Sequence, residues 1–211
     1  MRQVDKKFRL MAIVGVLAVG AGLSTPALSQ TLVDEWAGVK APPPPELKPV
    51  TIDPKVTALL MLDLVKPFCG PRPRCGASLP AVQRLLTQAR AKGVQVVYTL
   101  GTKVADIYPE LAPVAGEHVV TSGPDKFLNT DLEKVLKEKG IKVVIAVGTA
   151  AEGAVLHTAA GAALRGLKVI VPLDGMSSLT TYAEQYTAWH LTNAPRLGAQ
   201  TTLTRIDLIG Y

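Results

Sequence analysis

Short apolar segments alternate with longer helix-length segments along most of this chain, and that alternation limits the fold more than any other feature. The strand-length segments are residues 57–63, 93–100, 118–121, 141–148, 167–173 and 201–206. The helix-length segments are residues 79–92, 129–139, 152–165 and 180–192. Unbroken aliphatic runs such as Val143–Val147 indicate strands buried on both faces. The pattern predicts a three-layer α/β/α domain with a doubly wound, mostly parallel sheet of about six strands.

Glycines mark the ends of three predicted helices. Gly93, Gly140 and Gly166 each stand between a helix-length segment and the next strand-length segment. Helices commonly end on a glycine in the left-handed conformation, so each of these residues predicts a helix stop. At the start of the second helix, Thr130–Glu133 has the pattern of a capping box. These signals favour right-handed strand–helix–strand crossovers.

The first 29 residues have the pattern of a cleavable signal peptide. Four basic residues precede an uncharged apolar stretch, Met11–Leu23, and small residues at Ala27 and Ser29 follow it. The alternative is a retained membrane anchor, but the stretch is shorter than the roughly 20 residues that span a bilayer. We therefore expect cleavage after Ser29, no stable membrane anchor after cleavage, and an exported protein that is periplasmic or secreted.

Residues 30–56 form a polar, proline-rich lead-in to the domain. The run Ala41–Glu46 contains four consecutive prolines, which exclude a helix or a central strand, so we expect an extended segment. The folded domain is expected over residues 57–211. The mature chain of residues 30–211 has the length of a single domain with a sizeable core.

Half of the net charge of +6 comes from the signal segment. Without residues 1–29 the chain keeps 19 basic and 16 acidic residues, a formal charge of +3. Its mature part also has no run of Lys and Arg interleaved with aromatic residues. Nucleic acid is therefore excluded as an expected partner.

The chain has two cysteines, Cys69 and Cys75, within a segment rich in proline and glycine at residues 68–76. In an exported protein, two thiols at this separation most simply form a disulfide that closes the loop between them. A redox or metal-binding pair is the alternative, although the spacing is not CxxC and no histidine lies nearby. We predict the disulfide.

Ligands of open parallel sheets bind at the carboxyl ends of the strands, so the residues after each strand are the candidates for chemistry. These are Asp63, residues 122–127, residues 148–154 and Asp174. A carboxylate at the end of a buried strand is partly desolvated, which raises its pKa and equips it for acid–base catalysis. Lys126 is the nearest candidate cation for Asp63, and the backbone N–H groups of the glycine-containing turn at 148–153 provide a seat for an anion. Asp63 as an ordinary loop or cap residue is the alternative.

Four segments together resemble the isochorismatase-like hydrolase superfamily, which includes isochorismatases, nicotinamidases and related amidohydrolases. The segments are Ala58–Asp63 followed by Phe68, Phe127–Leu132, Gly148–Ala159 and Val169–Asp174. The similarity extends from about residue 58 to residue 208. It implies the same α/β fold and a catalytic role for the aspartate. The family lysine falls on Lys126 when counted from Phe127, or on Ser122 when counted from Val119 and Val120.

The departures from the family pattern decide the expected chemistry. The cysteine nucleophile of the amidohydrolase branch falls on Ala154, whose methyl group cannot attack a carbonyl. The Gln and Asn that often follow the family aspartate are Val65 and Lys66. The Asp/His metal pair of nicotinamidases has no counterpart around residues 100–103, so we expect no zinc and no other cofactor.

The resemblance therefore implies a hydrolase without a cysteine nucleophile, which acts on a small organic substrate by acid–base chemistry centred on Asp63 with Lys126 beside it. The expected substrate-binding residues are Phe68, Ser122, Ala150, Ala151, Glu152, Gly153, Ala154 and His157. The alternative is a catalytically inactive small-molecule-binding or interaction protein on the same fold.

Several side chains have more than one interpretation. His157 is expected to pack within the helix more than to face the crevice, and Glu152 is either a helix N-terminal acid or a catalytic group. His118 is expected to be a solvated loop residue. Residues 177–186, with two tyrosines, are expected to form a lid or a subunit contact, because members of the superfamily are commonly homo-oligomers.

Overall fold

The computed structural model describes residues 30–211, apart from the side chain of Ala105. The chain divides into two units, residues 1–41 and residues 42–211. In the first, the described part forms a short helix, α1 (Leu32–Glu35), and a 3₁₀ turn at Trp36–Gly38. The predicted signal peptide lies outside the described residues.

A parallel β-sheet forms the centre of the second unit. The strands of this unit are β1 (Val50–Thr51), β2 (Thr57–Leu62), β3 (Gln95–Leu100), β4 (His118–Thr121), β5 (Val143–Thr149), β6 (Lys168–Pro172), β7 (Met176–Ser177), β8 (Thr201–Thr204) and β9 (Ile209–Gly210). β1 and β9 form a separate two-stranded sheet, and the other strands form the central sheet. The main path of the sheet runs β4-β3-β2-β5-β6-β8, and every neighbouring pair is parallel. The short β7 pairs with the end of β5. The predicted doubly wound parallel sheet of about six strands is confirmed.

Helices cover both faces of this sheet. They are α2 (Lys66–Cys69), α3 (Pro73–Ala91), α4 (Leu132–Glu138), α5 (Leu156–Leu164), which follows a π-helical turn at Ala151–Val155, and α6 (Thr181–Asn193). Short 3₁₀ turns lie at Pro54–Val56, Val104–Asp106, Pro109–Leu111, Leu173–Gly175 and Ile206–Leu208. Among the described residues, no helix is long and apolar enough to cross a membrane.

The alternation of side chains along β2 explains the three layers. All six of its residues are buried. Leu60 and Leu62 pack in a core with α4, α5 and α6, whereas Leu59 and Met61 pack in a second core with α3 on the other face. Because strand side chains alternate between faces, a strand that is apolar throughout needs a layer of helices on each side.

The predicted helix stops are confirmed. Gly93, Gly140 and Gly166 follow α3, α4 and α5 and have φ values of 76°, 67° and 84°. Side chains rarely adopt this left-handed region, so glycine suits these three positions.

Two helix starts differ from the predictions. α3 begins at Pro73 and not at residue 79, because proline is tolerated at the first helical position, where its missing N–H needs no partner. Cys75 therefore lies in a helix and not in a loop. α4 begins at Leu132 with Asp131 as its N-cap, so the predicted capping box is wrong. The Thr130 hydroxyl instead donates to the carbonyl of Lys126.

Candidate active site

Asp63 follows β2 directly, and the neighbouring strand holds it in place. Its φ is +52°, in the left-handed region that non-glycine residues seldom adopt. Its backbone N–H donates to the carbonyl of Thr99 at 2.9 Å, and its Oδ1 accepts the N–H of Gly101 at 2.6 Å. Only 6% of the residue is exposed. The carboxyl group is therefore fixed at the end of the strand and largely shielded from water.

Lys126 is fully buried and contacts Asp63 directly. Its Nζ lies 2.8 Å from Asp63 Oδ2 and 3.5 Å from the carbonyl of Ser122. The Ser122 hydroxyl donates to the neighbouring carbonyl of Gly123. Of the two positions that sequence counting left open, Lys126 is the one whose side chain meets the aspartate.

Hydrogen bonds and a cation–π contact hold the turn that carries Lys126. The N–H of Phe127 donates to Asp125 Oδ1 at 2.9 Å, and the Thr130 hydroxyl donates to the Lys126 carbonyl at 2.6 Å. The guanidinium of Arg165, at the end of α5, stacks over the Phe127 ring at 4.3 Å. These contacts fix the backbone of Lys126 between β4 and α4.

The surroundings of Asp63 shift its titration upward. Burial raises the pKa of its carboxyl group above the ordinary value, and the hydrogen bond and charge of Lys126 and the N–H of Gly101 offset part of that rise. A carboxyl group with a raised pKa beside a fixed cation can hold a proton and then release it.

The Phe68 ring lies close to the Asp63 carboxyl group. An ideal Cβ on Gly101 would lie 2.9 Å from Phe68 Cε2 and 3.6 Å from Asp63 Oδ1. The ring and the carboxylate therefore both border the point above Gly101. A residue larger than glycine at 101 would displace the ring.

The turn after β5 lies beside Asp63 because β5 pairs with β2. Leu62 is opposite Gly148, whose φ is 149° and whose ideal Cβ would lie 1.9 Å from the Leu62 carbonyl oxygen. The two backbones approach so closely that only glycine fits. The next peptide bond, Thr149–Ala150, is cis. The residues that follow form the π-helical turn Ala151–Val155.

Comparison with known proteins identifies the family. The model of the isochorismatase domain matches residues 57–205. The chain belongs to the isochorismatase-like hydrolase family. The predicted fold and family are therefore confirmed.

Two curated relatives share part of the isochorismatase domain. A secreted isochorismatase effector, Isc1, of Verticillium dahliae is 37% identical over 113 residues, which cover 47% of this chain and 60% of the relative. An N-carbamoylsarcosine amidase of an Arthrobacter species is 27% identical over 171 residues, which cover 64% of this chain and 65% of the relative. The chain thus spans less than two thirds of the length of each.

Solved structures share the fold over nearly their whole length. An isochorismatase-like hydrolase from Alkaliphilus metalliredigens is 25% identical with a TM-score of 0.64, and the match covers 72% of this chain and 95% of that one. A cysteine hydrolase from Pseudomonas syringae is 22% identical with a TM-score of 0.66, and the match covers 77% and 94%. The second likeness concerns the fold alone.

The isochorismatase domain of this chain has no free thiol. Its two cysteines form the Cys69–Cys75 disulfide with an S–S distance of 2.06 Å, which confirms the predicted pairing. Ala154, at the position to which the resemblance assigns the nucleophile, is buried in the π-helical turn, as is Ala151. A methyl group at either position cannot act as a nucleophile.

A network that sequence reasoning missed extends from the π-helical turn. Glu152 is exposed, and its Oε2 accepts the Ser178 hydroxyl at 2.5 Å. The N–H of Ser178 donates to Glu184 Oε1 at 2.9 Å, and Arg74 Nε lies 2.8 Å from both oxygens of Glu184. Ser178 thus connects two carboxylates on different elements. The one signal in the sequence is an acidic residue, Glu184, near the start of the helix-length segment 180–192.

Two histidines, His157 and His118, differ from their predicted surroundings. His157 is exposed and not packed in the helix, and its Nδ1 lies 2.7 Å from the carbonyl of Gly153 in the preceding turn. His118 is part of β4 and is half-buried, with its Nε2 at 3.1 Å from Asp131 Oδ1. The predicted loop position of His118 is wrong.

The predicted site residues therefore divide into two groups. Asp63, Lys126 and Phe68 converge at the ends of β2 and β3, and the backbone of the 150–154 turn lies along the neighbouring strand end. Glu152 and His157 project from exposed positions. Within the described residues, no three His, Cys, Asp or Glu side chains are grouped to hold a metal ion.

Proposed function

We propose that this protein is an exported hydrolase of the isochorismatase-like family that acts on a small organic substrate by proton transfer from Asp63. The observation that carries the proposal is the contact of 2.8 Å between Lys126 Nζ and Asp63 Oδ2, with both side chains buried. A neighbouring cation lets the carboxyl group exist in both protonation states inside a dry site. Acid–base catalysis needs both states.

Vinyl-ether hydrolysis is the reaction that best suits these groups. The Asp63 carboxyl group would give its proton to the terminal carbon of the double bond, and an oxocarbenium ion would form. A water molecule adds to the cationic carbon, and the proton it loses returns to the Asp63 carboxylate. The hemiketal then breaks its carbon–oxygen bond, and its hydroxyl proton passes to the departing oxygen, which leaves a ketone and an alcohol.

Each group of the site would have a separate task in this reaction. The ammonium of Lys126 would stabilise the carboxylate that forms when Asp63 gives up its proton. The backbone N–H groups of residues 150–154, together with Ser122, Phe68, Glu152 and His157, would hold the substrate. No step requires a protein nucleophile, which agrees with alanine at position 154. Neither a metal nor another cofactor is part of the proposal.

The relatives support the class of reaction and the location. The partial match to a secreted isochorismatase supports vinyl-ether chemistry and export of this chain. The signal pattern of residues 1–29 and the disulfide support export as well. The partial match to an N-carbamoylsarcosine amidase makes amides the substrates to compare.

Turnover of isochorismate and of a panel of amides, with pairs of matched variants, tests the proposal. Asp63→Asn should abolish hydrolysis of the vinyl ether, because the amide side chain has no carboxyl proton to give. Asp174→Asn is the control: Asp174 also follows a strand, and its Oδ1 accepts the N–H of Ile206, which an asparagine oxygen can still do. Full turnover by Asp63→Asn would refute the proposal.

A binding protein on the same fold is the second candidate, because alanine occupies the nucleophile position and the reactive pair is almost fully buried. It predicts that members of the same panel raise the melting temperature without any turnover. A rise in melting temperature with product formation supports the enzyme instead.

A further inference from the structure

We propose that the Cys69–Cys75 disulfide is a positioning device: together with Arg72, it holds the Phe68 ring beside Asp63 and thereby keeps water from the carboxyl group. The inference rests on the proposed role of Asp63 in proton transfer and assigns a function to the loop between the cysteines. It concerns residues 66–75, here called the cystine loop. This segment follows β2, contains α2 and ends in the first turn of α3.

The cystine loop holds Phe68 from both sides. On the N-terminal side, the carbonyl of Val65 accepts the N–H groups of Phe68 and Cys69, at 3.1 and 2.8 Å. Val65 itself is buried and pairs with Ile107. On the C-terminal side, Cys69 is bonded to Cys75, which is buried in α3. The residue before the disulfide therefore has little freedom to move.

Arg72 adds a third constraint on the same residue. Its guanidinium donates to the carbonyl oxygen of Phe68. Its backbone N–H donates to the Cys69 carbonyl at 2.9 Å, and its own carbonyl accepts the N–H of Cys75 at 2.9 Å. Arg72 thus forms hydrogen bonds with residues at both ends of the cystine loop.

The position of the Phe68 ring explains why this matters for the site. The ring and Asp63 Oδ1 both lie within 4 Å of the point above Gly101. Burial is the largest influence on the Asp63 carboxyl group and raises its pKa. A side chain that excludes water at this point favours the protonated acid.

A purely stabilising disulfide would be a different case. The two cysteines are separated by six positions, and a short loop gains less stability from cross-linking than a long one. Their bond instead connects the residue after Phe68 to the first turn of α3, and this restricts the residues next to Asp63. We therefore expect the disulfide to act on the geometry of the site and not mainly on the stability of the whole domain.

Other charges around Asp63 must be considered in any titration. Lys126 contacts the carboxyl group, Lys66 and Arg72 belong to the cystine loop, and Asp106 stands beside Ile107, which pairs with Val65. Lysine and arginine ordinarily keep their charge across the acidic range. Residue-specific detection follows the carboxyl carbon of Asp63 apart from that of Asp106.

An NMR titration of the Asp63 side-chain carboxyl carbon tests the inference without any substrate. Phe68→Ala should lower the pKa of Asp63, because water then reaches the carboxyl group. Cys69→Ala/Cys75→Ala should lower it in the same direction. When the three substitutions are combined, the fall should be no larger than with Phe68→Ala alone, because both act through the same ring. Phe68→Leu should retain most of the wild-type value.

The control separates positioning from stability. Leu191→Ala removes a buried side chain on the opposite face of the sheet from the disulfide, so it should lower the melting temperature and leave the pKa of Asp63 unchanged. If the variant without cysteines does not fold, Arg72→Ala takes its place and should also lower the pKa of Asp63.

The inference is overturned if Phe68→Ala leaves the pKa of Asp63 unchanged, or if Phe68→Ala lowers it while neither the cysteine variant nor Arg72→Ala does. These results are distinct from a failure of the proposed function. If the protein hydrolyses isochorismate but these substitutions do not lower the pKa of Asp63 as expected, the inference alone is overturned. The expected shifts in a protein that turns over no substrate support the inference and remove the proposed function.

Discussion

At the scale of single residues, the pairing of Asp63 with Lys126 is the feature on which the proposed proton transfer depends. A buried ion pair contributes little net stability, but removal of one partner leaves the other charge in a dry site. The pair is therefore best explained by what it lets the carboxyl group do. The free-energy cost of leaving the Asp63 carboxylate without its cation can be measured when Lys126 is substituted.

Lys126→Met should raise the pKa of Asp63 further, because the hydrogen bond and charge that now lower it are lost. A carboxyl group with a raised folded-state pKa stabilises the fold below its unfolded-state value, and that contribution is lost as the pH rises through the folded-state value. The variant should thus lose more unfolding free energy at pH 7, about 3–5 kcal/mol, than at pH 4. Urea unfolding at the two pH values measures this.

The matched control for that change is Lys137→Met, which removes an exposed cation that pairs with Glu133 on α4. Its effect should be small at both pH values, since surface pairs contribute little. Equal losses for Lys126→Met at pH 4 and pH 7 would contradict a role for the ammonium in the titration of Asp63.

Gly148→Ala should destabilise the domain by about 3 kcal/mol or more, because the new Cβ meets the Leu62 carbonyl and the backbone is in a region that alanine rarely adopts. Gly123→Ala is the comparison, since an ideal Cβ there meets no heavy atom within 4 Å. Chemical denaturation of both variants measures the difference. Similar stabilities would show that the two backbones can separate.

At the scale of elements, the chain folds so that segments distant in sequence meet at one strand end. β7 pairs with the end of β5, and this places Ser178 against Glu152. Arg74 at the start of α3 and Glu184 at the start of α6 then fix Ser178 from the other side. The π-helical turn is therefore held by three different elements.

Arg74→Ala should lower the unfolding free energy by about 2 kcal/mol, because the buried Glu184 carboxylate loses its cation while the exposed part of Arg74 limits the loss. Arg205→Ala removes a similar guanidinium from an exposed pair with Asp207 and should have a much smaller effect. Denaturant unfolding compares them. Equal effects of the two substitutions would contradict a structural role for the Arg74–Glu184 pair.

Elements with a strong local signal were predictable, and those set by tertiary contacts were not. The buried aliphatic runs of β2 and β5 and the glycines after the helices have clear patterns, so their positions were predicted closely. The start of α3 was missed because Pro73 breaks a helix pattern in sequence but is tolerated at its first position. The π-helical turn has no sequence pattern of its own.

The site divides in the same way. Asp63 and Lys126 were predictable because parallel strands bring their carboxyl ends to one edge of the sheet. The contacts of Ser178 and Glu184 were not, since they depend on the packing of β7 and α6 against the turn. The exposed position of His157 also depends on how its helix packs, which its spacing from Ala154 does not reveal.

At the scale of the whole molecule, the sequence joins an export pattern to a disulfide-containing isochorismatase domain. Expression of the full chain in a bacterium should yield a periplasmic or secreted protein whose first residue is Gln30, because the small residues at Ala27 and Ser29 form the cleavage pattern. N-terminal sequencing and intact mass with thiol labelling check this. A product that keeps residues 1–29 in the membrane would contradict it.

Assembly is the other property that belongs to this scale. Tyr182 and Tyr186 are exposed on α6, within the segment 177–186 for which the sequence predicted a lid or a subunit contact. Members of the family are commonly homo-oligomers, and oligomerisation of this chain stays a prediction that sedimentation can test.

If Asp63 acts as a proton donor, the pH dependence of kcat/KM for isochorismate hydrolysis should follow the ionisation of its carboxyl group. In the proposed mechanism the protonated carboxyl group is the active form, so kcat/KM should be high below the pKa of Asp63 measured by NMR and should fall as the pH rises through it. The Asp63→Asn variant should show no turnover at any pH. A profile that stays flat across that pKa, or turnover that survives in Asp63→Asn, would contradict the claim.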